Sequence, residues 1–547
     1  MKSIAIFGAG IAGLTAAHEL VKLGYKVSVY ESTPEAGGFF RSGRDKQTTM
    51  PTEYSWHGLG PWYNNSFDLM RDIPFDAAGS IFDRALSRPI DFGIFPDNGS
   101  GKFYDVGILS VPSMFQMNQL EFVSWLYLML KTWTSNKRSK LKYSKLNAAQ
   151  AWKPLLKEKS YKTWRACFGP WVGSDWSNVS LHTTGEFFKK QLTTRIKHKH
   201  PADAQGEGWV HKASSGWLLF KGPSSEFWFK PWVEHLTKQG VVFTWNTPLV
   251  KLEFNEKVIT GAVTHKEVVT ADFYIVAINP YILNTILNKT PSLEQEKELK
   301  KIRFLTKDKP HTQISFRIAF KNKIKFPRDR TGVVLSDSPF NITIFAQEQA
   351  WSSEIYLGKN IQSLWTGTSC ISTIPGDLFN KSVEECTKEE FIQEIKNQVL
   401  NCKSLDKILK ESNQGKGIKE FEILTIEVWD EWEFTGEGVK YAQPKWVNNT
   451  SNQEFVPQQK TSLPNLILSG AHTQTEADVW SIEGAVESGR RAGRVIDTRV
   501  SLVNQSLQKW TIILGKIDDV LFYFKMPQIL DFIILLIFLK LLWELWT

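Results

Sequence analysis

Cysteine is scarce: 4 residues in a chain of 547. Cys167, Cys370, Cys386 and Cys402 form no CxxC pair, and no Cys/His cluster of metal-ligand spacing surrounds them, which excludes a disulfide scaffold and a structural metal site. Reduced thiols in a cytosolic setting are the expectation. A removable secretory leader is not expected either, because residues 1–13 already read as the first strand and turn of a fold, and secretion is not expected. No Ser-His-Asp, zinc-type or paired-carboxylate constellation stands out. Long apolar runs are few, and the longest, residues 529–543, is interrupted by Asp531 and Lys540, which a clean bilayer span of about twenty residues would not tolerate well.

Aromatic side chains, by contrast, are abundant. They make up 13% of the chain and include 22 Trp, enough broad apolar surface for a large hydrophobic ligand, a membrane interface or a bulky core. Apolar residues at 42% and charged residues at 22% argue against disorder and against a polytopic membrane protein. The length predicts two interlocked domains. The net charge of +9 is concentrated at Lys137, Arg138, Lys140, Lys142 and Lys145. This cluster follows residues 114–133, where Met114, Met117, Phe122, Trp125, Leu126, Met129 and Leu130 can share one side of a helix. A membrane surface, rather than nucleic acid, is the expected partner, with a core helix followed by a solvated loop as the competing reading.

The most informative stretch opens the chain. An apolar run, Ile4 to Phe7, leads into Gly8-Ala9-Gly10-Ile11-Ala12-Gly13 and then into helical periodicity over residues 14–23. Gly8 permits the turn, Gly10 lets backbone approach a pyrophosphate, and Gly13 allows close helix–strand packing. The phosphates would sit on N–H groups at a helix N-terminus. A second strand, Lys26 to Tyr30, delivers Glu31, where a carboxylate can accept ribose hydroxyls and repels a 2′-phosphate. FAD and NAD remain open on these residues alone. Gly37-Gly38 then supplies a second close approach, with Arg41 placed to hold pyrophosphate charge.

These paired motifs resemble the flavin-containing amine oxidase and carotenoid (phytoene) desaturase superfamily. The segment from Glu53 through His57 to Leu69 is similar to the desaturase branch, as are Gly222-Pro223-Ser224-Ser225-Glu226, the helix bearing Trp232 and Leu236, the strand at 240–244 and the run 271–277. The resemblance implies a strand meeting the adenine near Val250. It is closest at Asn465 to Gly470 and Trp480 to Gly489, where it implies a helix beginning near Ser481 whose N-terminus faces the flavin pyrimidine edge, with Gly484 and Gly489 allowing close approach. One departure is visible: the family's acid after the glycine is replaced in Gly470-Ala471-His472-Thr473, so His472 would substitute as a donor or the flavin would be held less tightly.

Motif and resemblance together assign cofactor contacts to Gly8, Ala9, Gly10, Ile11, Ala12, Gly13, Glu31, Gly37, Gly38, Arg41, Val250, Gly470, His472, Ile482 and Glu483. The implied fold is α/β: a Rossmann-like FAD-binding domain from residues 1–74, 208–291 and 457–500, an interleaved α+β substrate domain from 75–207 and 292–456, and a C-terminal apolar helix within a tail at 501–547. His57 is read as a polar group near the flavin or a structural histidine. The family's amine-binding aromatic cage and active-site lysine cannot be placed. The implied activity is hydride transfer from an apolar, isoprenoid or polyene substrate to FAD, with oxygen or quinone as acceptor. An amine oxidase releasing peroxide and a non-catalytic flavin-binding protein are the alternatives. The tail, with Trp543 and Trp546 suited to headgroups, predicts an interfacial or short anchoring helix on the cytoplasmic side of a membrane.

Overall fold

The computed structural model describes residues 1–53, 57–87, 92–104, 108–193, 217–255, 257–293, 295–327, 331–441, 444–505 and 507–546. Residues 54–56 of the desaturase-like stretch and 208–216 of the expected second cofactor segment lie outside that set.

Strand β1 (Ser3–Phe7) is apolar on both faces and buried beyond its first residue, as a central parallel strand requires. It turns through Gly8 into helix α1 (Ile11–Lys22), and β2 (Lys26–Tyr30) returns parallel to it, Ile4 opposite Val27 and Ile6 opposite Val29. Next come α2 (Asn64–Asp72), β3 (Phe92–Phe95) and β4 (Lys102–Tyr104), then the helices α3 (Gln119–Trp133), α4 (Lys137–Leu141), α5 (Glu158–Val172) and α6 (Leu181–Thr193). After α7 (Lys230–Lys238), strand β5 (Val242–Thr244) joins β2. A small antiparallel sheet follows, made of β6 (Leu249–Phe254), β7 (Ile259–Thr264) and β8 (Val268–Val269). Strand β9 (Phe273–Val276) flanks β1 on its other side. Strands β10 (Ile314–Phe320), β11 (Gly332–Leu335), β12 (Ile342–Ala346), β13 (Ser363–Ser369) and β14 (Ile423–Val428) join β3 and β4 in a seven-stranded mixed sheet, ordered β14-β10-β13-β12-β11-β3-β4. Finally β15 (Leu466–Leu468) closes the first sheet, and α8 (Ile482–Ile496), α9 (Lys509–Tyr523) and α10 (Ile529–Trp546) complete the chain.

The first sheet, ordered β15-β9-β1-β2-β5, is parallel throughout. Its strands therefore end along one edge, and that edge collects Gly8, Glu31, Ala277 and Gly470 from distant parts of the chain. Ligands in open parallel sheets bind there. Helix α8 crosses α1 in contact: a side chain on Gly489 would place its Cβ 2.5 Å from the Ala12 carbonyl oxygen. Arg490 locks the crossing from inside, donating to Glu19 and Asp68 at 2.8 Å each.

Two expectations need correction. Residues 114–133 do not form one helix: the turn Val111–Met114 stops, Gln116 takes a φ of 55°, and Asn118 restarts the chain by capping α3 in a reciprocal box with Glu121. The apolar side foreseen as membrane-facing also points inward, since Met114, Met117, Trp125 and Met129 are all buried. That side packs against aromatic residues of α5 and α6: Trp125 meets Trp164 and Phe188 edge-on. The basic cluster that follows is partly internal, Arg138 being buried against Asp518. All four cysteines are buried and unbonded.

Candidate active site

A continuous cavity of about 610 Å³ runs from the strand-end edge of the parallel sheet to the helices α5 and α6. Gly8, Gly10, Ile11, Ala12, Glu31, Gly37 and Gly38 line one end, and Gly470, His472, Trp480, Ser481, Ile482 and Ala485 line the same space farther along. The two motif regions foreseen at opposite ends of the chain thus share one groove.

The nucleotide end is built from backbone. Gly8 holds a φ of 106°, and a Cβ there would meet the Ala277 carbonyl oxygen at 2.5 Å. Gly13 lies beneath it, where a Cβ would come within 2.0 Å of the Gly8 oxygen. Gly10 differs: its nearest obstacle is Gly38 Cα at 3.9 Å, so its missing side chain leaves free space in the cavity wall. No side chain caps the N-terminus of α1, whose first-turn N–H groups stay open to an anion. Glu31 Oε2 accepts the Ala9 N–H at 2.6 Å, and Oε1 accepts from Ser32 Oγ and Thr33 N at 2.9 Å and from Thr33 Oγ1 at 3.1 Å. A carboxylate offers about four acceptor sites, two to each oxygen, so Oε2 keeps one for a ligand hydroxyl.

Several expected contacts lie off the cavity wall, each for a local reason. Ala9 is buried with its N–H committed to Glu31, and Gly13 faces Gly8. Arg41 is turned away: it pairs with Glu431, donates to the Gly38 carbonyl at 3.1 Å and stacks over Trp429. Glu431, not Arg41, reaches the cavity. Val250 points to the opposite face of β6 from Leu249, and Thr247, Pro248 and Leu249 form the wall. Glu483 is fully buried behind Ile482, where its carboxylate accepts the backbone N–H groups of Asn65 and Ser66 at 2.8 and 2.9 Å. It therefore caps α2 and ties α8 to it.

The other end is held by side chains. Ser481 caps α8 by accepting the Gly484 N–H at 3.1 Å, leaving the helix start against the cavity. His472 is buried there, Nε2 has no partner among the described residues, and burial pulls its pKa down to about 4, so the imidazole is neutral. His57 also lines the cavity. Its Nδ1 sits 2.6 Å from Glu53 and 3.0 Å from Ser224 Oγ, its ring stacks on Phe40, and its buried Nε2 has no partner among the described residues. Trp62, Trp171, Phe187 and Trp217 supply an aromatic wall.

Lys445 was not foreseen. It lines the cavity, its ammonium lies 5.0 Å from the centre of the Trp480 ring, and it donates to Gln313 Oε1. Gln313 is oriented in turn by Cys370, donating to its sulfur at 3.4 Å. Burial, with no carboxylate partner among the described residues, lowers the Lys445 pKa to about 8. No sequence motif marks it; only its tertiary surroundings do.

The donor set fits FAD: a side-chain-free floor at Gly10, an open helix start, a carboxylate at Glu31 with an acceptor site to spare, and, beside a second helix start, a buried histidine whose Nε2 has no partner among the described residues. Comparison with known proteins agrees. The sequence profile of the family "Flavin containing amine oxidoreductase" matches residues 11–497. A probable zeta-carotene desaturase of Synechococcus elongatus is 23% identical over 518 residues, covering 90% of this chain and 98% of that protein. Among solved structures, a putrescine oxidase superposes with a TM-score of 0.60 at 13% identity, covering 91% of this chain and 99% of the other. Cyclohexylamine oxidase of Brevibacterium oxydans gives 0.56 at 12% identity, covering 90% and 98%. The chain belongs to the flavin containing amine oxidoreductase family and is an FAD-dependent oxidoreductase.

Proposed function

We propose that the protein dehydrogenates an apolar, polyene-like substrate in the manner of a desaturase. The observation that carries this reading is the cavity itself, whose far wall is aromatic, formed by Trp62, Trp171, Phe187 and Trp217. A hydrocarbon finds a matching surface on that wall, while Glu431 pairs one oxygen with Arg41 and keeps the other buried without a hydrogen-bond partner among the described residues.

In this reading segments 1–74, 208–291 and 457–500 carry the cofactor. Gly10 and Gly38 admit the pyrophosphate against backbone, the first turn of α1 donates to it, and Glu31 Oε2 accepts from the ribose. His472 donates to a ribityl or phosphate oxygen, and the start of α8 faces the flavin. FAD held there would supply the two-electron acceptor for hydride from a substrate C–H bond, with oxygen or a quinone as the terminal acceptor. The aromatic wall orients the chain of the substrate and excludes water. Lys445, in its neutral form, takes the proton from the neighbouring carbon at Nζ, so that a C=C bond is left behind.

Anaerobic mixing of the holoenzyme with detergent-dispersed carotene precursors tests this: bleaching of the visible flavin band with a more conjugated product is expected. A second reading, amine oxidation, is favoured by the fold likeness to putrescine and cyclohexylamine oxidases. Bleaching by amines with peroxide release, and none by polyenes, would replace the first reading with the second.

A further inference from the structure

Helices α9 and α10 carry their polarity the wrong way round for water. The buried positions of α9 are Thr511, Gly515 and Asp518, spaced as one helix face, and none is a large apolar residue. Asp518 is fully buried and receives Arg138 Nη2 at 2.9 Å and Ser135 Oγ at 2.7 Å. In the turn between the helices Gln528 is equally buried, donating to the Lys131 carbonyl at 2.7 Å and accepting the Tyr143 hydroxyl at 2.8 Å. Asp531 closes the set by accepting from Lys131 Nζ at 2.8 Å and from the Tyr127 hydroxyl. The hairpin is thus latched to α3 and α4 by polar groups.

Its outer surface is the reverse. Val520, Tyr523, Phe524, Leu536 and Trp543 are 57%, 78%, 65%, 65% and 70% exposed. A helix on the surface of a soluble body buries its apolar stripe and exposes its charges. Leu120 and Val123 extend the patch along α3, on the same helix face as the latch residues Tyr127 and Lys131. Exposed Lys509, Lys516, Lys525 and Lys540 stand among and around these residues.

We propose that this hairpin and the outer face of α3 seat the protein on an anionic lipid bilayer, lying in the headgroup region. Polar-in, apolar-out helices with lysines at the rim match a surface that is apolar beneath and negatively charged above. Tyr523 and Trp543 place amphipathic rings at that boundary. Lying is favoured over crossing, because no helix among the described residues is long and apolar enough to cross a membrane, and α10 carries Asp531, Lys540 and Glu544.

Flotation of the full-length holoenzyme with vesicles tests the assignment. Vesicles of phosphatidylcholine with phosphatidylglycerol should carry the protein, and pure phosphatidylcholine should carry at least about tenfold less, as should the anionic vesicles in about 1 M salt. The double substitution Ile513→Glu and Leu536→Glu, on exposed positions, should keep the flavin spectrum and melting temperature while abolishing flotation. The proposal is overturned if the protein stays unbound with both vesicle types, or if the substituted protein still floats. It is equally overturned if light scattering in the absence of lipid shows a dimer that the same substitutions disperse.

Discussion

The two ends of the cavity are made differently. At the nucleotide end the wall is backbone, and its parts come from a short stretch of sequence: Gly8, Gly10, Glu31 and Gly38 all fall within the first forty residues. At the flavin end the wall is side chains collected from remote segments: His57, Lys445, His472 and Trp480 meet only because the sheet and its helices bring them together. A backbone site tolerates no added atom, while a side-chain site is tuned by burial. The first should respond to substitution in an all-or-none way and the second by degrees.

The sharpest contrast lies within the glycine motif. Gly10→Val should leave a folded apoprotein, since the new side chain enters free space, but reduce FAD occupancy to a few per cent, read from the ratio of flavin to protein absorbance. Gly13→Val, three residues on, should cost about 3 kcal/mol or more of stability by denaturant titration, because its Cβ would collide with the Gly8 oxygen at 2.0 Å. Equal behaviour of the two variants would erase the distinction between a ligand-facing and a packing glycine.

Protons should act through two buried histidines, His472 on the cavity wall and His311, which hydrogen-bonds Ser174 and whose backbone N–H donates to the Lys445 carbonyl. His472 and His311 are held neutral by burial, with pKa values of about 4 against 6.5 when free. Above pH 6.5 neither the folded nor the unfolded form is protonated, and stability is flat. Between pH 6.5 and 4 the unfolded chain takes up protons that the fold refuses, so stability falls with falling pH by about 3 kcal/mol for each histidine. Denaturation midpoints at several pH values measure the slope, and His472→Gln should remove its own share.

Lys445 supplies a kinetic counterpart. Lys445→Met should slow flavin reduction about a hundredfold above pH 8 and abolish the rise in rate through pH 8 that the wild-type lysine produces as it loses its proton. An unchanged pH profile in stopped-flow reduction would remove Lys445 from the reaction. Glu483→Gln is smaller: losing an acceptor for the α2 N–H groups should cost about 2 kcal/mol of stability. FAD occupancy should stay unchanged, which separates a capping role from a cofactor contact.

Which residues could be recognised beforehand follows from the same contrast. The turn at Gly8 and the acid at Glu31 were legible because the chain geometry of strand, turn and helix fixes where a glycine and a carboxylate must stand. Side-chain direction was harder to read: successive helical residues point about 100° apart and successive strand residues to opposite faces, so the side chains of Ile482 and Leu249 line the cavity and those of Glu483 and Val250 do not. The pairing of Arg41 was not legible because its partner, Glu431, lies 390 residues away. The aromatic face of residues 114–133 has the periodicity of any amphipathic helix, and periodicity does not say whether core or membrane covers it.

The amino-acid sequence by itself determined the strand–glycine–helix opening, the carboxylate at the end of β2 and the capped helix at Ser481, because each depends on contacts within a few residues or on backbone space. Tertiary structure alone decided which lysine loses its water, which histidine stays unpaired, where Arg41 spends its charge, and that the last two helices turn their apolar sides outward. Burial is a property of what surrounds a residue, and those surroundings come from segments that the local sequence does not contain.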